Sequence, residues 1–360
     1  MNVNRVLHIR NNDAVRTFQE FLAALWERLD LDAILAPVEV PHLNAVSPQI
    51  LSQPQDLVHV NPFAPLMLNN TACIIQDILR ENPSRHLAVI LRPCELRAVV
   101  ELQKRNRVRY TSLSPENKDK CLITIGVDCP GTYSQDEYIQ HATNFQDDVE
   151  MIRVDVTYGR QESYIPYDVR PTCQMCDSPG PFSADLTVGT IGIAPQGELL
   201  MIARDKEIDS LLQLEGLTDG TATEWQVESR EMMIGKLADK RADKRSALMK
   251  TMQIEDLGTT MAIFARCTLC ADCLDSCPLY DGELAGMLGA GEARQNGRSF
   301  LYELVRVSRW LASCSGCGMC RESCPQGVPI TQMVTVLSHR IQNELHYRPG
   351  DPAQPLPWTV

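Results

Sequence analysis

The chain lacks the long apolar segments of a membrane protein. Among its 360 residues no run of about eighteen apolar residues occurs, so we predict that nothing spans a bilayer. Residues 1–20 contain Arg5, Arg10, Asp13 and Arg16 without a long apolar core, which is unlike an ordinary secretory signal. We therefore expect a cytoplasmic protein whose cysteines stay reduced.

Two nucleotide-binding motifs are also missing. The chain has no G-x-G-x-x-G after a predicted strand and no Walker loop, which disfavours a Rossmann NAD site. The net charge of −12 disfavours nucleic acid, because phosphate neutralisation needs a basic face. One basic cluster falls at helical spacing among acidic residues, namely Lys236, Lys240, Arg241, Lys244 and Arg245. We interpret it as a solvated helix face; the alternative is docking of an acidic partner subunit.

Cysteine, by contrast, is abundant, with 14 residues. Eight fall into two runs of equal spacing: Cys267-x2-Cys270-x2-Cys273-x3-Cys277-Pro278 and Cys314-x2-Cys317-x2-Cys320-x3-Cys324-Pro325. In this spacing three cysteines hold one cubane cluster and the fourth crosses to the other. The sequence predicts two 4Fe–4S clusters, the first on Cys267, Cys270, Cys273 and Cys324, the second on Cys314, Cys317, Cys320 and Cys277. Structural zinc is the alternative, although zinc does not require a third cysteine and a Cys-Pro in each run.

Six cysteines lie outside the two runs. Cys173 and Cys176 form a C-x2-C pair in a loop rich in proline, and Cys94 and Cys129 each follow a predicted strand. Because the ends of neighbouring strands converge, a third 4Fe–4S cluster on Cys94, Cys129, Cys173 and Cys176 is stereochemically reasonable. The alternative is a zinc pair with inert core thiols. We expect the remaining two, Cys73 and Cys121, to be buried without a metal.

Apolar periodicity predicts an α/β layer in the middle of the chain. Predicted strands are Leu87–Leu91, Cys121–Val127 and Leu199–Ala203. Predicted helices are Asp13–Leu29, one from Asn69 or Asn70 through Leu79, Glu95–Lys104, a long charged one from Thr221 to near Gly258, Arg298–Leu311 and Pro329–Leu345. Pro37–Pro65 and the tail Arg348–Val360 are rich in proline, so we expect an irregular segment and an extended tail.

Four motifs follow one another in the middle of the chain, namely Arg92-Pro93-Cys94-Glu95-Leu96-Arg97-Ala98, Val127-Asp128-Cys129-Pro130-Gly131, Cys173-Gln174-Met175-Cys176, and Ala184-Asp185-Leu186-Thr187-Val188-Gly189 with Gly192. Together they resemble the beta subunits of deazaflavin-coenzyme (F420) reducing hydrogenase and of formate dehydrogenase. The resemblance implies a noncovalent FAD beside a 4Fe–4S cluster that exchanges a hydride with a soluble carrier. It places that cluster on Cys94, Cys129, Cys173 and Cys176. The added two-cluster module resembles the formate dehydrogenase subunit more.

The resemblance also suggests where a flavin would bind. The family has a glycine pair opening a helix, where this chain has Leu68-Asn69-Asn70-Thr71-Ala72-Cys73, and Asn and Thr can cap that helix and bind phosphate. Candidate flavin or carrier contacts are Asn70, Thr71, Pro93, Glu95 and Arg97. For Glu95 and Arg97 the alternative is an exposed helix start with an intrahelical charge pair.

The expected fold is an α/β (α+β) flavoprotein-like core followed by a mostly α-helical dicluster ferredoxin-type domain. We expect a helical and proline-rich segment at 1–85, the α/β core at 86–220, a helical connector at 221–258, the two-cluster domain at 259–345 and a tail at 346–360. The predicted function is electron transfer between a soluble two-electron carrier and a catalytic partner. A molybdopterin formate dehydrogenase, a hydrogenase or a heterodisulfide-reductase-like complex could be that partner. The alternative is a flavin-free conduit or scaffold connecting two redox enzymes.

Overall fold

The computed structural model describes residues 2–40, 45–142, 169–193, 197–251, 258, 261–262, 264–280 and 298–359. Within them, one mixed sheet is built from β1 (Val3–His8), β2 (Ala33–Val40), β3 (Ala45–Leu51), β4 (Leu87–Leu91), β5 (Leu122–Val127), β6 (Leu186–Gly189), β7 (Glu198–Ala203) and β8 (Gly220–Thr221). The strand order is β3-β2-β4-β5-β6-β7-β1-β8. The four strands β2, β4, β5 and β6 pair in parallel, and the outer pairings are antiparallel.

Helices surround this sheet and continue into the C-terminal part. They are α1 (Ala14–Leu29), α2 (Thr71–Glu81), α3 (Pro93–Lys104), α4 (Gln135–Ala142), α5 (Pro171–Gln174), α6 (Lys206–Leu211), α7 (Glu224–Thr251), α8 (Asp272–Asp275), α9 (Arg298–Ala312), α10 (Met319–Glu322) and α11 (Ile330–Glu344). Short 3-10 helices lie at Arg10–Asn12, Pro54–His59 and Leu214–Gly216. In the described part of the chain, no helix combines the length and apolar character needed to cross a membrane.

The predicted α/β layer is confirmed, and so are the three predicted strands, to within a residue at their ends. Helix α1 begins after Asp13, whose carboxylate accepts the Arg16 backbone N–H at 2.8 Å, as its capping position predicts. Helix α2 begins after Asn70, whose side chain accepts from the Ala72 N–H at 3.0 Å. The predicted end of the long helix near Gly258 falls next to residues 252–257, which lie outside the described residues.

The prediction of an irregular segment at Pro37–Pro65 is wrong over its first part. Strands β2 and β3 pair there in an antiparallel ladder in which Pro37 lies opposite Pro48. The prolines are tolerated because β3 is an edge strand, and because β4 pairs only with Ala33–Leu35 of β2. Proline therefore marked an edge of the sheet and not a break in it.

Two apolar layers hold the sheet between helices. On one face α1 contributes Phe18, Leu22 and Leu25, all fully buried. On the other, α2 and α3 contribute Ile75 and Leu96. The parallel strands β4 and β5 end at the same edge, so the residues that follow them, 92–94 and 128–130, meet there.

The C-terminal module packs on α3 through specific polar contacts. Glu101 of α3 is fully buried and accepts hydrogen bonds from the Tyr347 hydroxyl at 2.6 Å and from the Gly350 N–H at 3.0 Å. Arg348 lies 3.9 Å from the centre of the Phe182 ring. The C-terminal tail, predicted to be extended, is a series of turns that returns to the core.

Candidate iron–sulfur sites

The four cysteines predicted to hold the third cluster lie at the edge where β4 and β5 end. Cys94 is in the first turn of α3 directly after β4. Cys129 follows β5, and its N–H donates to the Pro179 carbonyl at 2.8 Å. The short helix α5 carries Cys173, and Cys176 follows it. The fold therefore delivers thiols from three separate segments to one end of the sheet.

Electrostatic interactions connect these four thiols. Burial raises the pKa of Cys129, and the neighbouring Cys173 and Cys176 raise it further. Burial also raises the pKa of Cys94 well above its usual value. The nearby Glu95, Cys317 and Cys129 raise it further. Cys94 and Cys129 therefore lie close enough to other thiols to be harder to ionise without a positively charged metal centre.

Arg170 favours the thiolate form within this group. Burial by itself raises the pKa of Cys173, but the Arg170 guanidinium and the Thr132 hydroxyl outweigh it, so that pKa lies below its usual value. The Arg170 Nη2 is 3.9 Å from the Cys173 Sγ, and the Thr132 Oγ1 is 3.5 Å from it. Sequence reasoning missed Arg170, although its place just before the Pro171-Thr172-Cys173 stretch was an available signal.

The second cysteine run is grouped with a thiol of the first. Burial raises the pKa of Cys277, and Cys317 and Cys314 raise it further. Burial also raises the pKa of Cys320, and the nearby Cys317, Cys314 and Cys277 raise it further. The Trp310 indole N–H donates to the Cys277 Sγ at 3.3 Å. Cys277 therefore lies close to thiols of the second run, and its role as a ligand there stays a prediction.

The first run is likewise close to a thiol of the second, Cys324. Burial raises the pKa of Cys273, and the largest contribution from another residue comes from Cys324, followed by Cys270 and Cys267. Cys267 and Cys270 are exposed, whereas Cys324 is half-buried. This group is therefore the most accessible of the three.

Both runs bend the backbone in the same way. Leu269 and Ala271 have φ of 58° and 70°, and the equivalent residues of the second run, Gly316 and Gly318, have φ of 68° and 75°. Left-handed backbone is costly for Leu and Ala, at about 1–2 kcal/mol each. A non-glycine residue keeps such a conformation where the surroundings demand it, typically at functional sites. In each run the positive-φ residues lie between consecutive cysteines, so both loops follow the same curved backbone path.

The predicted ligand sets remain predictions. In the described part of the chain, no group of three or more His, Cys, Asp or Glu side chains is placed to hold a metal ion. The two unassigned thiols differ from each other. Cys121 is buried as expected, whereas Cys73 is half-buried, and burial together with the nearby Cys317 raises its pKa to about 11.

Two buried arginines join the third cysteine group to the second run. Arg97 donates to the Ser315 carbonyl, from Nη2 at 2.7 Å, and the same nitrogen is 3.9 Å from the Cys176 Sγ. Arg170 donates to the Cys317 carbonyl at 3.4 Å. In addition, Thr172 donates to the Gly316 carbonyl at 3.0 Å. The core therefore contacts the second run directly.

The close approach at this contact depends on a glycine. A Cβ on Gly318 would lie 2.3 Å from the Thr172 Cγ2, and Gly318 also has a positive φ. Only glycine meets both requirements. The fit between the core and the second run is therefore built into the backbone.

The long helix α7 binds the third group from outside. Arg230 pairs with both carboxylate oxygens of Asp128, the residue before Cys129. Arg241 donates to the Pro130 carbonyl, and Arg245 pairs with Asp177 at 2.7 Å. The interpretation of this basic cluster as a solvated face is therefore wrong for Arg241 and Arg245. Both are buried because Arg241 donates to a backbone carbonyl and Arg245 pairs with a carboxylate of the cysteine loops, although the Nε of Arg245 has no hydrogen-bond partner among the described residues.

The candidate flavin contacts form an internal network. The Thr71 N–H and hydroxyl both donate to one Glu95 carboxylate oxygen, at 3.0 and 2.6 Å. The Arg92 N–H donates to the other at 2.9 Å. Glu95 is fully buried and joins the starts of α2 and α3. The alternative of an exposed helix start is wrong for Glu95, because the carboxylate is sealed inside by these donors.

The other candidates are also buried. Asn70 is 1% exposed, and its side-chain nitrogen has no hydrogen-bond partner among the described residues. Pro93 is buried at the first position of α3. Arg97 is buried and directed toward Cys176 and Ser315. Arg97 therefore contacts one predicted cluster ligand, Cys176, and the exposed alternative is wrong for it too.

Comparison with known proteins identifies two family matches. Residues 84–218 match the family model for the C terminus of the coenzyme F420 hydrogenase/dehydrogenase beta subunit. Residues 263–328 match the model of the 4Fe-4S dicluster domain. The first range contains Cys94, Cys129, Cys173 and Cys176, and the second contains both cysteine runs.

Similar proteins carry consistent names. The chain is 22% identical to the F420-dependent formate dehydrogenase subunit beta of Methanocaldococcus jannaschii, over 74% of each chain. It is 24% identical to the F420-dependent formate dehydrogenase 1 subunit beta of Methanococcus maripaludis, over 77% of this chain and 75% of that one. A chain in the xenon-derivatised F420-reducing nickel–iron hydrogenase complex from Methanosarcina barkeri aligns with a TM-score of 0.48. Its identity is 13%, over 71% of this chain and 94% of the other.

The resemblance inferred from the motifs around Cys94, Cys129 and Cys173 is confirmed by these matches. The chain is thus similar to the C-terminal domain of the coenzyme F420 hydrogenase/dehydrogenase beta subunit over residues 84–218, and to a 4Fe–4S dicluster domain over residues 263–328.

Proposed function

We propose that this chain is an iron–sulfur electron-transfer subunit of an oxidoreductase complex of the F420-dependent formate dehydrogenase or hydrogenase type. The observation that carries the proposal is the direct contact between the third cysteine group and the second run. Arg97 touches Cys176 on one side and the Ser315 carbonyl on the other, and Arg170 likewise spans Cys173 and the Cys317 carbonyl. Two metal centres held by these thiols would be neighbours.

The proposed electron path has three stations, each of them a 4Fe–4S cluster. It begins at a 4Fe–4S cluster on Cys94, Cys129, Cys173 and Cys176, continues to one on Cys277, Cys314, Cys317 and Cys320, and ends at one on Cys267, Cys270, Cys273 and Cys324. The last group is the most exposed, so it is the end at which a partner protein would exchange electrons. Each cluster passes one electron at a time.

A flavin beside the first station would exchange two electrons with a soluble carrier as a hydride. Arg97 and the unpartnered nitrogen of Asn70 are the groups of this chain that could face it. The second candidate function, a flavin-free conduit between two redox enzymes, is favoured by the internal use of Thr71 and Glu95. Those two side chains bind each other and offer little to a phosphate.

Metal analysis tests the number of stations. Three clusters require about twelve iron atoms and as many sulfides per chain, and two require about eight. We expect the double variant Cys173→Ser, Cys176→Ser to lose about four iron atoms from the anaerobically purified complex. Cys121→Ser is the matched control, because Cys121 is a buried thiol outside the three groups. An unchanged iron content in the double variant would refute the third station.

Acid release tests the flavin separately. FAD in the supernatant of the denatured complex would support the carrier-linked function. Its absence, together with a failure of added FAD to restore reduction of any deazaflavin carrier, would favour the conduit. Copurification of the native complex would then identify the catalytic partner, for which a molybdopterin formate dehydrogenase is the first expectation.

A further inference from the structure

A cavity of about 320 Å³ lies where the end of α3, the stretch after Cys277, helix α9 and the C-terminal tail meet. Among the described residues that line it, five are cationic and none is acidic, namely Lys104, Arg105, Arg107, Arg306 and Arg309. The chain as a whole carries a net charge of −12, so the sign of the charge is locally reversed here. No motif of the sequence analysis pointed to this place, because the cations come from distant segments.

Aromatic rings hold several of these cations in position. The guanidinium groups of Arg105 and Arg309 lie 5.4 and 5.6 Å from the centre of the Trp358 ring. The guanidinium of Arg306 lies 5.2 Å from the centre of the Tyr280 ring. Arg105 is also anchored, because it donates to the Arg309 carbonyl at 2.8 Å. The cations are therefore preorganised around the cavity.

Two of these cations, Arg105 and Arg107, contact neutral carbonyls and no carboxylate at hydrogen-bond distance among the described residues. Glu101 offsets Lys104 at 3.1 Å, but it is directed toward Tyr347 and does not line the cavity. The Nε of Arg105 is buried and has no hydrogen-bond partner among the described residues. Arg107 donates to a backbone carbonyl, that of Tyr280, at 2.9 Å. Neutral carbonyls satisfy N–H groups of Arg105 and Arg107. Burial lowers the pKa of Arg105; Glu101 opposes this shift, and the repulsion from Arg107 adds to it.

The cavity also has an apolar wall, formed by Leu279, Val305, Trp310 and Leu356. Val305 is 39% exposed. The Tyr280 and Trp310 rings meet edge to face at 6.1 Å. The volume of the cavity is that of a small organic ligand, at the lower end of known binding pockets. Such a site suits a molecule that is anionic at one end and flat and apolar at the other.

We propose that this cavity binds a phosphate-bearing planar aromatic of the mononucleotide class, with the arginines on the phosphate and the ring against the Trp310 side. Arginine is the side chain best suited to phosphate, because its fork of N–H groups matches the phosphate oxygens. The site is independent of the cofactor positions in the proposed function. It is nevertheless close to them, because Trp310 lines the cavity and donates to the Cys277 Sγ at 3.3 Å.

Equilibrium dialysis of the purified complex against FMN, AMP, inorganic phosphate and oligoglutamate tests the proposal. We expect FMN and AMP to bind more tightly than inorganic phosphate, and all binding to weaken as salt rises. Arg309→Glu should weaken FMN and AMP binding about tenfold, since it replaces one attraction with a repulsion at an exposed position. Arg85→Glu, which makes the same change of charge in the loop before β4, is the matched control and should bind as the wild type does.

Three results would overturn the assignment: no binding of FMN or AMP to the wild-type complex, equal binding by the Arg309→Glu and wild-type complexes, or binding only of an acidic peptide such as oligoglutamate. Iron content is measured on the same samples. If the nucleotide binds while iron analysis gives two clusters, the electron path fails and this site stands. If three clusters are present and no nucleotide binds, this site alone fails.

Discussion

The ion pair between Arg230 and Asp128 is expected to determine how firmly α7 is held against the sheet. Asp128 is fully buried and the Arg230 side chain is 10% exposed. The Arg230 Nε donates to the Asp128 Oδ2 at 2.9 Å, and Nη2 donates to Oδ1. The same Oδ2 accepts the N–H groups of Thr190 and Ile191 at 3.0 and 3.3 Å. Removing Arg230 would therefore leave a buried carboxylate with two backbone donors.

The size of the effect follows from this geometry. Breaking a buried pair by removing one partner costs about 3–5 kcal/mol, because the other charge stays buried. The two remaining N–H donors place Arg230→Met near the lower end, at about 3 kcal/mol. That energy corresponds to a change of roughly a hundredfold in the equilibrium for local opening of α7.

Hydrogen exchange measured by mass spectrometry reports that opening. In the Arg230→Met variant we expect the amides of α7 to exchange about a hundredfold faster, while those of β4 and β5 change little. Lys236→Met removes one positive charge from an exposed position on the same helix, so its effect should stay within about 0.5 kcal/mol.

The double variant Asp128→Asn, Arg230→Met separates the pair from each group alone. We expect it to cost less than the sum of the single variants, because neither change leaves an unpaired charge once both are made. If Arg230→Met accelerates exchange no more than Lys236→Met does, the pair contributes nothing to the attachment of α7, and the reasoning is refuted.

Three further predictions concern other contacts. Arg97→Met should move the midpoint potential of the proposed cluster near Cys176 to more negative values by tens of millivolts, because a buried positive charge no longer favours the reduced form; an EPR redox titration with unchanged iron content measures this. Burial and the hydrogen bond to Glu101 raise the pKa of Tyr347 above its usual value of about 10. The free energy of unfolding should therefore fall as pH rises above about 10. Tyr347→Phe should make that fall smaller, as measured by denaturation curves at a series of pH values. Asp205→Ala should lower the free energy of unfolding by about 1 kcal/mol, because Asp205 accepts the Ile208 N–H at 2.8 Å at the start of α6. That hydrogen bond lowers the pKa of Asp205, so the stabilisation should vanish in acid. A loss of stability that does not depend on pH would contradict this.

Local patterns were sufficient for much of the core. The strand Leu87–Leu91 is a short apolar run, and the structure buries all five of its residues. The helix after Asp13 follows from its apolar stripe and its capping side chain. The strands at Val3–His8 and Leu186–Gly189 went unpredicted, because segments this short carry little periodicity of their own. Their pairing with β7 decides their conformation.

Whether a charged side chain is buried or exposed depended on residues far away in the chain. Arg241 and Arg245 follow a helical charge pattern that is typical of a solvated face, yet both are buried against the cysteine loops. Glu95 and Thr71 are far apart in the chain and bind each other. Helical spacing tells which residues share a face, but it does not tell what covers that face.

The amino-acid sequence by itself predicted the two-cluster module, because cysteine spacing limits which thiols can share a metal centre, and its motifs indicated the resemblance that the two family matches confirm. Only the tertiary structure decided how the parts are joined. Arg97 and Arg170 bring the third cysteine group to the second run, and five cations from the end of α3 and from α9 surround one cavity. Such contacts join residues far apart in the chain, so they exist only once burial and hydrogen bonding have brought the domains together.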